Sequence, residues 1–140
     1  MSANTSNRKT VRFADRVGPD SSKTLTKKVA EAATVDRVDV RIYTGPRLDL
    51  QVVPFVEPQV GGDHTDRVPL VDLIGKDYID GDGDRYSFYP TESVEREDRV
   101  GVEVKNVDDE NGYDIAVDVT LDREGGAGRS LASFVSGVFS

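Results

Sequence analysis

Cysteine and tryptophan are absent from the 140 residues, and histidine and methionine occur once each. Without cysteine there is no disulfide, no thiolate nucleophile and no thiolate-held zinc or iron–sulfur centre. One histidine offers any metal at most one imidazole. No stretch approaches the ~20 apolar residues of a membrane helix, and the polar start from Met1 to Arg8 lacks the apolar run of a secretory signal, so a soluble protein is expected. A glycine-rich phosphate loop opening a helix, a His-Glu metal helix and a serine or cysteine elbow are all missing. Paired carboxylates occur throughout, which removes their value as a sign of acid–base chemistry. The expectation is a chain that is not an enzyme.

The charge that is present is unevenly distributed. Eighteen aspartates and eight glutamates face twelve arginines and six lysines, for a net charge of −8. Residues 1–28 carry Arg8, Lys9, Arg12, Arg16, Lys23, Lys27 and Lys28 against Asp15 and Asp20, a local balance of +5, which leaves −13 on the rest. A basic first part poor in core formers, with Val11, Phe13 and Val17 as its sizeable apolar residues before Leu25, reads as an extended arm over residues 1–34. Excess aspartate with little lysine resembles the composition of proteins from extremely halophilic archaea, where short-stemmed carboxylates keep a protein soluble in screening salt.

Beyond the arm the dominant signal is period-two alternation. Val38, Val40 and Ile42 alternate with charged residues, and Leu48, Leu50 and Val52 with Asp49 and Gln51. Pro54 and Pro58 then place the next segment at a sheet edge, bulge or strand end. Residues 68–74 and 86–89 read as further strands, and residues 29–34 as one marginal helical turn. Val100, Val102 and Val104, then Ile115, Val117, Val119 and Leu121, flank the turn-forming Asn111-Gly112, a pattern that predicts a β-hairpin. Short strands with one wet face and no long helices predict an all-β fold over residues 35–124: an antiparallel β-sandwich or small barrel, with a single jelly roll as one version. After the glycines of residues 125–128, the apolar tail through Leu131, Phe134, Val138 and Phe139 is either a last core element or a docking peptide.

Two loops hold candidate chemistry. Asp80, Asp82 and Asp84 alternate with glycine after Asp77, a spacing that can turn carboxylates onto Ca2+ or another hard cation. A helix–loop–helix calcium site would need glycine where Arg85 stands and glutamate where Thr91 stands, so the alternatives are a looser cation site or a solvated acidic turn. His64, between Asp63 and Asp66, reads as an exposed loop residue. It would matter chemically if it converged with the Asp80–Asp84 stretch as a metal-dependent site.

The basic first part, the alternation from Arg99 to Leu121 and the tail from Ser130 together resemble a small virion structural protein of a haloarchaeal virus. The likeness is one of composition and architecture, without a diagnostic motif. It implies a capsid, vertex (penton), minor capsid or decoration subunit located in the virion. Arm residues Arg8, Arg12, Phe13 and Arg16 and tail residues Leu131, Phe134, Val138 and Phe139 would tie it to identical subunits or a major capsid protein. The arm could also touch a membrane surface, whereas the acidic body argues against a specific nucleic-acid partner. The alternative is a stand-alone module for cell-surface or receptor recognition, in the haloarchaeal cytoplasm or at the cell surface, using the loops at residues 61–66 and 77–84. On the arm reading, deleting residues 1–28 leaves a folded monomer.

Overall fold

Alternating β-branched residues favour extended backbone and give each strand one apolar face that must be covered. The computed structural model describes residues 8–123 other than 44, 46–48 and 65, with the side chains of His64 and Leu73 not described. Among these residues the strands are β1 (Arg8–Val17), β2 (Ser21–Lys28), β3 (Ala33–Ile42), β4 (Leu50–Glu57), β5 (Gln59–Val60), β6 (Asp63–His64), β7 (Val68–Pro69), β8 (Asp84–Phe88), β9 (Glu92–Val94), β10 (Arg99–Asn106) and β11 (Tyr113–Asp122). They form two facing antiparallel sheets, the all-β sandwich that the alternation predicts. The first runs β1-β11-β3-β8, with β9 beside the opening residues of β3; the second runs β2-β10-β4-β7, and β5 with β6 makes a small separate ribbon.

The pairings are nested. β1 pairs β11, β2 pairs β10, β3 pairs β8 and β9, and β4 pairs β7. Successive strands from β1 to β4 alternate between the sheets. Val11, Phe13 and Val17 of β1, Val38, Val40 and Ile42 of β3, Val100, Val102 and Val104 of β10, and Ile115, Val117 and Val119 of β11 meet in one core.

This arrangement corrects the reading of residues 1–34 as an arm. Arg8–Val17 is an edge strand of the first sheet and Ser21–Lys28 an edge strand of the second, while Ala33 and Thr34 open β3. Val11, Phe13 and Val17 are buried, and Leu25 packs against the core. Burying an apolar side chain of this size contributes roughly 1.5–3 kcal/mol. The charges of β1 are the outward half of an amphipathic strand. Residues 1–7 and the tail 124–140, which includes Leu131, Phe134, Val138 and Phe139, lie outside the described residues.

The expected hairpin is corrected as well. β10 lies in the second sheet and β11 in the first, so the valines of the two strands meet across the core instead of the strands bonding edge to edge. Asn111 and Gly112 are not among the residues with positive φ that a two-residue hairpin turn would require. The link between the sheets is held by side chains. Buried Asn106 donates through Nδ2 to the carbonyls of Val17 (3.3 Å), Gly18 (3.0 Å) and Asn111 (2.8 Å), and its Oδ1 accepts from Asp108 N–H (3.0 Å). One amide thus joins the β1–β2 corner to the β10–β11 corner. Asp108 completes the turn by accepting from the Tyr113 hydroxyl, Glu110 N–H (2.8 Å) and Asn111 N–H (3.2 Å).

Smaller departures have local causes. Residues 29–32 take no helical turn, because Val29 N–H donates to the Asp98 carbonyl (2.7 Å) and the Val29 carbonyl accepts from Glu97 N–H (2.8 Å). Residues 68–74 divide into β7 and a 3-10 turn over Leu70–Ile74, which ends at Gly75 in the left-handed region. Pro54 sits inside β4 without breaking the ladder. It shares the parity of Val52, whose N–H and carbonyl face Ile79 rather than β10, so the missing donor falls on the sparsely covered side. Gly101, opposite Phe55, is required by a close approach: a Cβ there would lie 2.5 Å from the Leu25 carbonyl oxygen and 2.7 Å from Phe55 Cζ.

Two predictions follow from this architecture. Deleting residues 1–28 removes one edge strand from each sheet and the β1–β2 corner, a loss comparable with the ~5–15 kcal/mol net stability of an ordinary domain; the truncated chain is expected to lose its cooperative thermal transition by circular dichroism. Hydrogen bonds from Tyr113 first, then from the backbone of Glu110, hold the Asp108 carboxyl at about 2, below its ordinary 3.8. Because the folded value is the depressed one, its stabilisation is complete above pH 4 and is lost as pH falls from 4 through 2. Denaturation midpoints across that window should show a smaller acid-induced decline in Asp108→Asn than in the native chain.

Candidate functional site

Every second residue of β1, β11, β3 and β8 points outward, so the first sheet presents a face built row by row from its register. Arg8 lies opposite Asp122, Thr10 opposite Thr120, Arg12 opposite Asp118, Ala14 opposite Ala116 and Arg16 opposite Asp114. The rows continue across β3, where Asp118 meets Asp39 and Ala116 meets Arg41. On β8, Asp39 then meets Ser87 and Arg41 meets Arg85.

Most of this face neutralises itself. Arg12 grips Asp118 with two parallel bonds, Nε to Oδ1 at 2.9 Å and Nη2 to Oδ2 at 3.2 Å, and this contact raises the guanidinium further above its ordinary value. Arg16 reaches Asp114 at 3.4 Å and donates to the Gly112 carbonyl at 3.0 Å. Arg8 pairs with Asp36 and sits 3.8 Å from Asp122. Asp39 accepts from Arg37 Nε at 3.1 Å and from the Ser87 hydroxyl. At the sandwich edge, Arg16 N–H and then Lys23 hold Asp15 below the ordinary carboxylate range.

Arg41 and Arg85 break the pattern. They stand directly opposite each other on β3 and β8, and no ion pair or hydrogen bond engages either guanidinium among the described residues. The Arg41 guanidinium lies over the Tyr43 ring, 5.1 Å from its centroid. An open depression of about 290 Å³ is lined by Arg41, Tyr43, Gly83, Asp84 and Arg85. A second, of about 340 Å³, lies on the far side of Tyr43 against Ala14, Arg16 and Asp114. Two exposed cations beside an exposed aromatic ring and small neighbours can accept an oxyanion in the fork of the guanidinia.

The residues that the sequence suggested for partner binding are placed differently. Phe13 is in the core. Arg8, Arg12 and Arg16 are on the outer face, each engaged by an aspartate of the same chain. Asp80, Asp82 and Asp84 do not close around a common point, and no three His, Asp or Glu side chains gather as a metal site among the described residues. Two of these carboxylates hold backbone instead: Asp82 Oδ1 accepts from Gly45 N–H at 2.6 Å, and Asp84 Oδ2 accepts from Asp82 N–H at 3.1 Å. His64 has its backbone in β6, paired with Gln59.

No family model and no curated protein matches this chain. Among solved structures it is similar to a chain of infectious bursal disease virus, Gt strain, with a TM-score of 0.47 and 6% identity over 86% of this chain and 33% of that one. A mutant VP2 protein of the same virus, from T=1 particles, gives 0.46 and 5% identity over 86% and 33%. The periplasmic inhibitor of g-type lysozyme from Aeromonas hydrophila gives 0.42 and 10% identity over 80% and 85%. This chain thus spans about a third of the length of the viral chains. Likeness at these scores and identities carries no information about function.

Sequence reading missed Arg41 and Arg85 because each looks like the ordinary polar half of a strand. Their juxtaposition depends on the β3–β8 register, which no local signal reports. Like charges directly opposite on neighbouring strands are destabilising, and opposite charges contribute roughly 0.2–1 kcal/mol. Arg85→Glu should therefore raise the chemical-denaturation midpoint at low salt, with the gain shrinking as salt is added.

Proposed function

We propose that this chain is a non-enzymatic structural subunit of a haloarchaeal virus particle, a capsid, vertex, minor capsid or decoration protein, folded as a single jelly roll. The observation that carries the reading is the nested strand order, β1-β11-β3-β8 against β2-β10-β4-β7. Pairing of first with last, second with next-to-last and so on inward is what rolling one long antiparallel ribbon produces, and jelly rolls of this kind serve as shell-building blocks in viral capsids.

The same order fixes where the ends leave. Arg8 lies opposite Asp122, so the first and last described strands begin and end at one corner of the first sheet. A rigid block with both ends at one corner suits a subunit that reaches neighbours through Leu131, Phe134, Val138 and Phe139 while its body stays unchanged. The partners on this reading are identical copies or a major capsid protein, and the location is the virion. The acidic surface fits a high-salt medium in which solubility depends on dense carboxylates.

A second reading, a stand-alone recognition module, is favoured by Arg41 and Arg85 beside Tyr43, which have no ion-pair partner among the described residues, at the end of the first sheet opposite the Arg8↔Asp122 pair. Oligomeric state separates the two. In molar salt the full chain is expected to sediment as a defined oligomer, and a chain ending at Arg123 as a folded monomer with the same melting temperature. A monomeric full chain would sink the self-assembling version and favour the recognition module.

A further inference from the structure

We infer that Arg41, Arg85 and Tyr43 form a docking site for a single carboxylate side chain presented by a partner protein. The inference goes beyond the shell reading and holds whether or not the chain assembles. It starts from an electrostatic anomaly. Eighteen aspartates are distributed over the chain, and Arg8, Arg12, Arg16 and Arg37 on this face each lie on one. Arg41 and Arg85 are set against each other instead, an arrangement that costs stability until an anion enters.

The surroundings select the kind of anion. Among the described residues Asp84 is the one carboxylate lining the depression with them, and its Oδ2 already accepts from Asp82 N–H at 3.1 Å. On the other side of Arg41 the register places Ala116 and then Ala14, which leave the approach low. Tyr43 is 42% exposed and Tyr89, near Arg37, is 65% exposed. Exposed tyrosine with arginine is the composition that protein interfaces enrich. A nucleic-acid strand fits poorly, because its successive phosphates would run onto Asp39, Asp114 and Asp118 within a chain of net charge −8. A single carboxylate satisfies both guanidinia without extending onto those aspartates.

The test uses the full chain labelled with 15N and two probes, a short peptide carrying one glutamate among uncharged residues and a twelve-nucleotide oligothymidine, followed by NMR at low and high salt. The expected result is saturable movement of the Arg41 and Arg85 Nε–H signals and of the Tyr43 amide by the peptide. Affinity should weaken roughly tenfold or more in Arg41→Gln and in Arg85→Gln, as loss of a charge-assisted hydrogen bond requires. Lys105→Gln, on the second sheet, should leave binding unchanged. Both arginines are exposed, and unchanged amide spectra elsewhere verify that the variants fold. Absence of saturable peptide binding overturns the inference, as does binding of the oligothymidine alone, which would assign the pair to nucleic acid. Oligomeric state does not enter the readout, so failure here is distinct from failure of the shell reading.

Discussion

The fold depends on one long-range pairing, that of its first described strand with its last. β1 and β11 are matched over ten positions from Arg8↔Asp122 to Val17↔Tyr113, and the other closing pairs nest inside this one. Loop-closure entropy rises only slowly with loop length, so an outermost pair that spans nearly the whole described chain costs little more than a shorter closure once the inner pairs have shortened the effective loop. The return is large, because β1 brings Val11, Phe13 and Val17 to the open side of the core. Contacts so distant in sequence place the protein among slow-folding β topologies.

That pairing also explains which parts of the fold were legible in the sequence. Alternation at Val38-Val40-Ile42, Val100-Val102-Val104 and Ile115-Val117-Val119 marks strands because each strand buries one face regardless of its neighbour. The neighbour itself leaves no such mark. The pattern around Asn111-Gly112 is compatible with side-by-side pairing and equally with two valine faces meeting across a sandwich. What distinguishes them is long-range: Asn106, at the end of β10, binds through its amide the carbonyls of the β1–β2 corner, which sequence separates widely from it. β1 was hidden for a related reason: Asp15 interrupts its apolar set, and its outward arginines resemble a solvated arm until the aspartates of β11 are set beside them. β2 carries little more than Leu25 toward the core.

The outward rows of the first sheet have a structural consequence apart from their modest energies. Exposed ion pairs typically contribute about 0–1 kcal/mol each, so Arg12–Asp118 and Arg16–Asp114 matter less as sources of stability than as guides to register. A one-residue slip of β1 against β11 would turn every arginine toward the core and every valine toward water. Complementary charges on the outer face and complementary valines on the inner face therefore enforce the same alignment. The candidate site lies in the row where this charge complementarity stops, at Arg41↔Arg85. Its two residue types were plain in the sequence, but their opposition exists solely through the β3–β8 register.

In the high-salt medium of the proposed reading, the balance at that row changes. At molar ionic strength the Debye length is about 3 Å, so two guanidinia on neighbouring strands repel each other far less than in dilute buffer, and an unpaired pair is tolerated on the folded surface. A bidentate hydrogen bond to an incoming carboxylate acts at contact distance and survives that screening better than any long-range attraction does. An acidic protein in concentrated salt cannot use net charge to steer an acidic partner, since both the repulsion between bodies and the attraction to a basic patch are damped. On the proposed reading, a short-range fork such as Arg41–Arg85 is the means of recognition left to it, at the end of the first sheet opposite the Arg8↔Asp122 pair.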